Sequence, residues 1–233
     1  MGSTLRRPVI SAVTNRRLFD SRDDAACDQL VEWSAAVSKA DVDVLQIRER
    51  GLDDAILVRL VCEILAGAAG SGMRVLVNDR VDVALATGAA GVHLPSTAPS
   101  VAVVRRMVPD GLLVGRSVHV GDDVREIERQ GGCDYLTFGT VFPSAGKPKG
   151  HPVAGVEALC RVCASTSLPV LAIGGLTVPL AAEAARAGAA GVAAIGLFAD
   201  PWLHESRDTD RTQRLVETVA ALRAAFAAVP SNI

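Results

Sequence analysis

The chain has 233 residues, 49% hydrophobic, 21% charged and only 3% aromatic, which excludes disorder and allows one large domain or two small ones. Its 24 basic and 26 acidic residues give a net charge of −2 with no basic block, which argues against a nucleic-acid binder. No apolar run reaches the roughly 18 residues a membrane helix needs and no secretory leader is recognisable, so a cytoplasmic protein is expected.

In chain order, short runs rich in Val, Ile and Leu alternate with longer Ala-rich stretches of helical period. A strand over 9–14 leads to a helix over 24–39, and a strand over 44–48 to a helix over 53–70. Strands over 74–78 and 91–94 precede helices over 80–87 and 100–108. Strands over 112–118 and 135–138 precede helices over 122–130 and 156–165. The last two strands, 169–173 and 191–195, flank a helix over 178–187. A polar, Pro-containing segment over 200–211 then leads to a closing helix over 212–227.

Eight apolar strands alternating with helices predict a parallel sheet covered on both faces and closed as a single-domain (β/α)8 TIM barrel, with its core over about 9–198. A doubly wound open sheet is the alternative, disfavoured by strand count and by the lack of an early Gly-rich fingerprint. An internal echo supports the repeat: both 83–94 and 184–195 run from an Ala-rich helix through Gly-Ala-Ala-Gly-Val into a strand. Five cysteines, an odd number, fit reduced thiols. Cys160 and Cys163 share a helix face and read as core or surface thiols rather than a metal or redox pair.

In a barrel the chemistry sits at the strand C-termini and the loops that follow. Side-chain alternation puts Gln46, Arg48 and Arg50 on one side at the end of the second strand. Two guanidiniums there point either to an anionic ligand or to an ion pair with Glu49 or Asp79 at the rim. Gly174 and Gly175, before a helix opened by Thr177, offer unobstructed backbone amides to a phosphate, and Gly196 after the eighth strand adds another approach. His119 is the foremost proton-transfer candidate, with a structural role as its alternative. His93 competes with it, while His151 and His204 read as surface residues. The segment 142–155 reads as a mobile loop in which Lys147 and Lys149 either fold over an anion or stay solvated.

The runs QIRER (46–50), NDRVDVALATGAAGVHL (78–94), GRSVH (115–119), DYLTFGTVFPSAGKPKG (134–150), AIGGL (172–176) and GAAGVAAIG (188–196) together resemble the thiamine phosphate synthase and thiazole tautomerase superfamily. The resemblance implies a barrel that acts on a thiazole phosphate in thiamine biosynthesis. The synthase joins that phosphate to an aminopyrimidine diphosphate with Mg²⁺; the tautomerase aromatises a carboxythiazole phosphate without metal.

Carried over residue by residue, the resemblance gives Asp79 as one Mg²⁺ ligand of a synthase, whereas Ala98 stands where that branch has a second Asp. Gly146 replaces a Thr in the diphosphate loop, in which Ser144 keeps a hydroxyl and Lys147 the cation, and Arg50 replaces a Lys. Arg48-Glu49-Arg50, Leu94-Pro95-Ser96 and the GRSVH run are similar to the tautomerase, while Gln46 and Asn78-Asp79 are closer to the synthase.

The expected function is therefore a tautomerase that needs no cofactor, with His119, Arg48 and Arg50 as its catalytic residues. Substrate contacts are expected from Gln46, Asn78, Ser117, Ser144 and Lys147. Its phosphate is expected at Gly174, Gly175 and the backbone of Ala194, Ile195 and Gly196. The alternatives are a Mg²⁺-dependent synthase with Asp79 as metal ligand, and a non-catalytic barrel that binds thiazole or thiamine phosphate. The expected partner is a small molecule, with no nucleic acid or membrane, and a homo-oligomer is one option.

Overall fold

A computed structural model describes residues 5–20, 22–144, 147–148, 150–205 and 208–229. Eight parallel strands close a barrel in sequence order: β1 (Val9–Val13), β2 (Val44–Ile47), β3 (Arg74–Asn78), β4 (Gly91–Leu94), β5 (Leu113–Val118), β6 (Tyr135–Gly139), β7 (Val170–Ile173) and β8 (Gly191–Ala194). β1 pairs with β8 through Val9↔Gly191 to Ala12↔Ala194, so the sheet has no free edge. The (β/α)8 expectation holds, and each strand lies within two residues of its expected bounds.

The outer ring comprises α1 (Asp23–Lys39), α2 (Asp54–Gly67), α3 (Val81–Thr87), α4 (Val101–Arg105), α5 (Val124–Gln130), α6 (Gly155–Ala164), α7 (Val178–Arg186), α8 (Gly196–His204) and α9 (Asp208–Ala227). Caps account for several starts: Asp53 accepts from Ala55 N–H at 2.9 Å, and Asp123 from Glu126 N–H at 3.0 Å. Two expectations need correction. The segment over 200–211 is not a plain linker, since α8 runs through Pro201 to His204 and α9 begins at Asp208. Packing holds α8 in place despite the missing Pro N–H, with Phe198 and Trp202 buried and Trp33 Nε1 donating to the Phe198 carbonyl at 3.1 Å. The helix expected over 100–108 shortens to α4.

The echoed Gly-Ala-Ala-Gly-Val acquires a physical reason. Gly88 and Gly188 end α3 and the α7 turn with φ of 72° and 92°, left-handed geometry that suits glycine. Gly91 and Gly191 open β4 and β8 where the neighbouring strand comes very close: a Cβ on Gly191 would lie 2.0 Å from the Val9 carbonyl oxygen. Backbone cannot rotate away, so Gly191→Ala is expected to cost at least about 2 kcal/mol, read as a lower urea midpoint with an unchanged slope.

Two apolar layers result. The larger packs strands against helices; the smaller fills the barrel with Val9, Val13, Val44, Leu76, Leu113, Tyr135, Leu171 and Ala193. Toward the strand C-termini the inward positions turn polar, through Gln46, Asn78, His93, Ser117 and Thr137, and this layer floors the mouth. All five cysteines are free, with Cys160 exposed and Cys163 half-buried. Among the described residues no helix is long and apolar enough to cross a membrane.

Candidate active site

Gln46 is buried at the top of β2, and its Oε1 accepts from Asn78 Nδ2 at 2.9 Å across the β2–β3 pair. Arg48 follows just beyond the strand, with its N–H fixed on Thr14 Oγ1 at 2.9 Å. Its half-buried guanidinium makes no ion pair or side-chain hydrogen bond among the described residues. Burial, and then the charge of Arg50, pull it below its ordinary pKa, against a smaller opposing pull from Glu49. Arg50 is exposed. Such a desolvated cation beside a second cation attracts a multiply charged anion.

The rim ion pair with Glu49 or Asp79 does not form. Glu49 turns away from the mouth and is taken by Arg16, a residue that sequence reasoning missed. Arg16 lies in a short 3-10 turn after β1, and its backbone N–H sits 3.1 Å from both Glu49 oxygens. Its Nη1 reaches Glu49 and the Arg50 carbonyl, each at 3.3 Å, and its Nε reaches Asp23 at 2.7 Å. A buried ion pair thus ties the β1–α1 loop to the β2–α2 loop and fixes the backbone that presents both mouth guanidiniums.

Asp79 follows β3 with an exposed side chain and a left-handed φ of 64°, uncommon for a non-glycine residue. The next loop, after β4, is shaped from β5: Arg116 donates to the carbonyls of Ser96 (2.8 Å), Pro99 (2.9 Å) and Ala98 (3.3 Å). Ala98 therefore lies in a loop whose path a neighbouring strand dictates.

His119 is exposed past β5, with Asp122 accepting its N–H at 2.7 Å and its Nδ1 2.7 Å from the Gly139 carbonyl. That carbonyl accepts, so Nδ1 carries a proton there. His93 is buried and makes no hydrogen bond to His119 among the described residues; it binds Ser117 and Tyr135 instead. A mid-strand glycine was the signal for this cluster, because a Cβ on Gly115 would lie 2.2 Å from the Tyr135 ring.

In the β6–α6 loop, Ser144 is half-buried and its carbonyl accepts from Lys147 N–H at 3.1 Å; the Lys147 side chain is exposed. Ala145, Gly146 and Lys149 lie outside the described residues. His151 is not a plain surface residue, since its Nε2 lies 3.2 Å from Thr140 Oγ1. Gly174 and Gly175 have φ of 99° and 64° and a packing role as well: added Cβ atoms would meet Thr140 Cγ2 at 2.5 Å and the Pro143 carbonyl at 2.2 Å. Ala194 ends β8, Ile195 caps α8, and Gly196 is its first residue, so the unexpected helix aims its N-terminus from the end of β8.

Together these features define a (β/α)8 barrel with a cationic mouth, the class in which βα loops carry the active site. Residues 17–198 match the thiamine monophosphate synthase family, and the chain belongs to it. It is 37% identical over 153 residues to a thiamine-phosphate synthase of Methanocella arvoryzae, covering 66% of this chain and 72% of that one. It is 32% identical over 189 residues to a thiamine-phosphate synthase of Roseiflexus castenholzii, covering 81% and 80%. Among solved structures, a thiamine phosphate pyrophosphorylase from Pyrococcus furiosus superposes with a TM-score of 0.72 at 27% identity, covering 92% and 96%.

These relatives correct the tautomerase expectation. The short runs weighed toward that branch, at 48–50, 94–96 and 115–119, are few positions at and just beyond strand ends, whereas the similarity to synthases extends along the barrel. The isomerase assignment is overturned in favour of the transferase.

Proposed function

We propose that the chain is a transferase that joins a thiazole phosphate to an aminopyrimidine diphosphate and releases diphosphate. The observation that carries this reading is Arg48, a half-buried guanidinium beside Arg50 that makes no ion pair with a carboxylate among the described residues. A departing diphosphate is the kind of anion such a pair stabilises best, because its charge grows as the bond breaks.

In this reading Arg48, Arg50 and Lys147 hold the diphosphate, with hydroxyls from Ser117 and Ser144. The Gln46–Asn78 amide pair offers fixed donors and acceptors to a nitrogen heterocycle at the floor of the mouth. Gly174, Gly175 and the backbone of Ala194, Ile195 and Gly196 receive the thiazole phosphate at the start of α8, where free amide groups and the helix dipole favour an anion. The electron pair of the breaking carbon–oxygen bond leaves with the diphosphate, and the thiazole bonds to the same carbon. The chain need supply no general base, so His119 becomes a rim residue held by the Gly139 carbonyl.

Asp79 fits as a protein ligand for Mg²⁺. Its exposed carboxylate makes no ion pair among the described residues, which contain no group of three or more His, Cys, Asp or Glu able to hold a metal. One carboxylate plus substrate phosphate oxygens is a set that Mg²⁺ accepts. When bound, the ion would neutralise charge on the diphosphate. Free thiols support a cytoplasmic location.

The purified chain given both substrates and Mg²⁺ is expected to form the joined product with release of diphosphate, to stop in EDTA, and to resume when Mg²⁺ is restored. Turnover that is indifferent to EDTA would remove Asp79 from its role. Absence of joined product under every condition overturns the transferase reading.

A further inference from the structure

Just above the apolar filling of the barrel, four side chains form a hydrogen-bonded cluster whose protons can be assigned by elimination. His93 is 1% exposed, with Nδ1 2.9 Å from the Tyr135 hydroxyl and Nε2 2.8 Å from Ser117 Oγ. Thr137, also buried, places Oγ1 3.2 Å from Ser117 Oγ and 3.3 Å from His93 Nε2. Burial, and then the charge of Arg48, lower the His93 pKa to about 3, so the ring is neutral and carries a single N–H. Burial raises the Tyr135 phenol, which keeps its proton.

Tyr135 has no exposed surface, and among the described residues His93 Nδ1 is the hydrogen-bond partner of its hydroxyl. A buried phenol proton needs an acceptor, and Nδ1 is the one in reach. The imidazole proton therefore sits on Nε2 and points at Ser117 Oγ. With Nε2 protonated, the Thr137 hydroxyl also turns to Ser117 Oγ. That oxygen then accepts twice, and its own hydrogen must go elsewhere. Ser117 is the one member of the cluster that is not buried. The opposite tautomer would leave the phenol proton enclosed without a partner and let Ser117 point inward.

We infer that Tyr135 and His93 are positioning residues that make Ser117 an obligate hydrogen-bond donor to the diphosphate in the mouth. The identity of the anion rests on the transferase reading; the direction of the hydrogen bonds does not. A lone serine hydroxyl rotates freely between donating and accepting, whereas this one is held to donate and so favours an anion.

Two measurements test the relay. In the folded full chain, selectively ¹⁵N-labelled at its four histidines, His93 is expected to show an unprotonated Nδ1 and a protonated Nε2. That signature should persist while any solvent-exposed histidine titrates. A protonated Nδ1 overturns the inference, whatever the variants do.

Calorimetric titration with inorganic diphosphate is the second measurement. Ser117→Ala and Tyr135→Phe are each expected to weaken binding by about 10- to 100-fold, and the double variant no further than either alone. His93→Gln, whose amide retains a donor toward Ser117, should recover part of what His93→Leu loses. Tyr135→Phe binding like the unaltered chain while Ser117→Ala does not would overturn the relay. If the unaltered chain fails to bind diphosphate, the transferase reading fails, and the nitrogen signature alone decides the relay.

Discussion

Arg48→Met is expected to reduce turnover of the joined product by about 10²–10³-fold, the usual effect of deleting one donor that meets charge developing in a transition state. Thermal stability should hold or rise. The methionine keeps the aliphatic stem in contact with its surroundings, while the change removes a desolvated cation that Arg50 opposes and that makes no ion pair among the described residues. That opposite movement is the diagnostic: a structural arginine would lose stability together with activity. Arg48→Lys should fall in between, since an ammonium retains the charge without the two-pronged geometry that matches phosphate oxygens. Single-turnover rates and melting curves on the same preparations decide the point.

Glu49→Gln carries the second large effect, on stability first. The Glu49 and Arg16 side chains are 2% and 7% exposed, and the carboxylate meets both the backbone N–H and the Nη1 of Arg16. Neutralising one partner leaves a buried cation, a change worth about 3–5 kcal/mol; the remaining contact with exposed Asp23 places the expected value near the lower end, about 3 kcal/mol. Urea unfolding reads that loss. Activity should fall too, because Arg16 also holds the Arg50 carbonyl and so the backbone beneath both mouth guanidiniums. An Arg16→Met, Glu49→Leu double variant should regain much of the stability without regaining the activity. Equal losses in the single and double variants would defeat the account.

The strands were legible because buried parallel strands are continuous apolar runs, and a side chain facing the barrel interior or the helices must be apolar in either case. The mouth was legible in outline because polar residues cluster at strand ends: Gln46, Arg48, Asn78 and Ser117 all stand there. What escaped depends on pairing across long separations. Arg16 and Glu49 are 33 residues apart, and nothing local to either marks the other as its partner. The His93–Tyr135 contact needs the register that sets His93 beside Gly115 and Gly115 beside Tyr135. α8 escaped because Pro201 suggests a break, while the packing of Phe198 and Trp202 that overrides it is tertiary. The branch of the family escaped because single positions such as Ala98 and Arg50 lie in loops, where substitutions alter little of the barrel that carries the overall similarity.

The bonding of β1 to β8 also orders events during synthesis. The outward edge of β1 has no hydrogen-bonding neighbour until residues 191–194 have left the ribosome, and Trp33 waits for a carbonyl 165 residues further on. The first strand and the first helix are thus made early and secured last, so nascent chains spend nearly the whole of translation with an open sheet edge. The start of α8, to which the thiazole phosphate is assigned, takes its place in that same closing step. Substrate binding should therefore report directly on completed closure, and a chain stalled before residue 191 would have six or seven strands and no phosphate site.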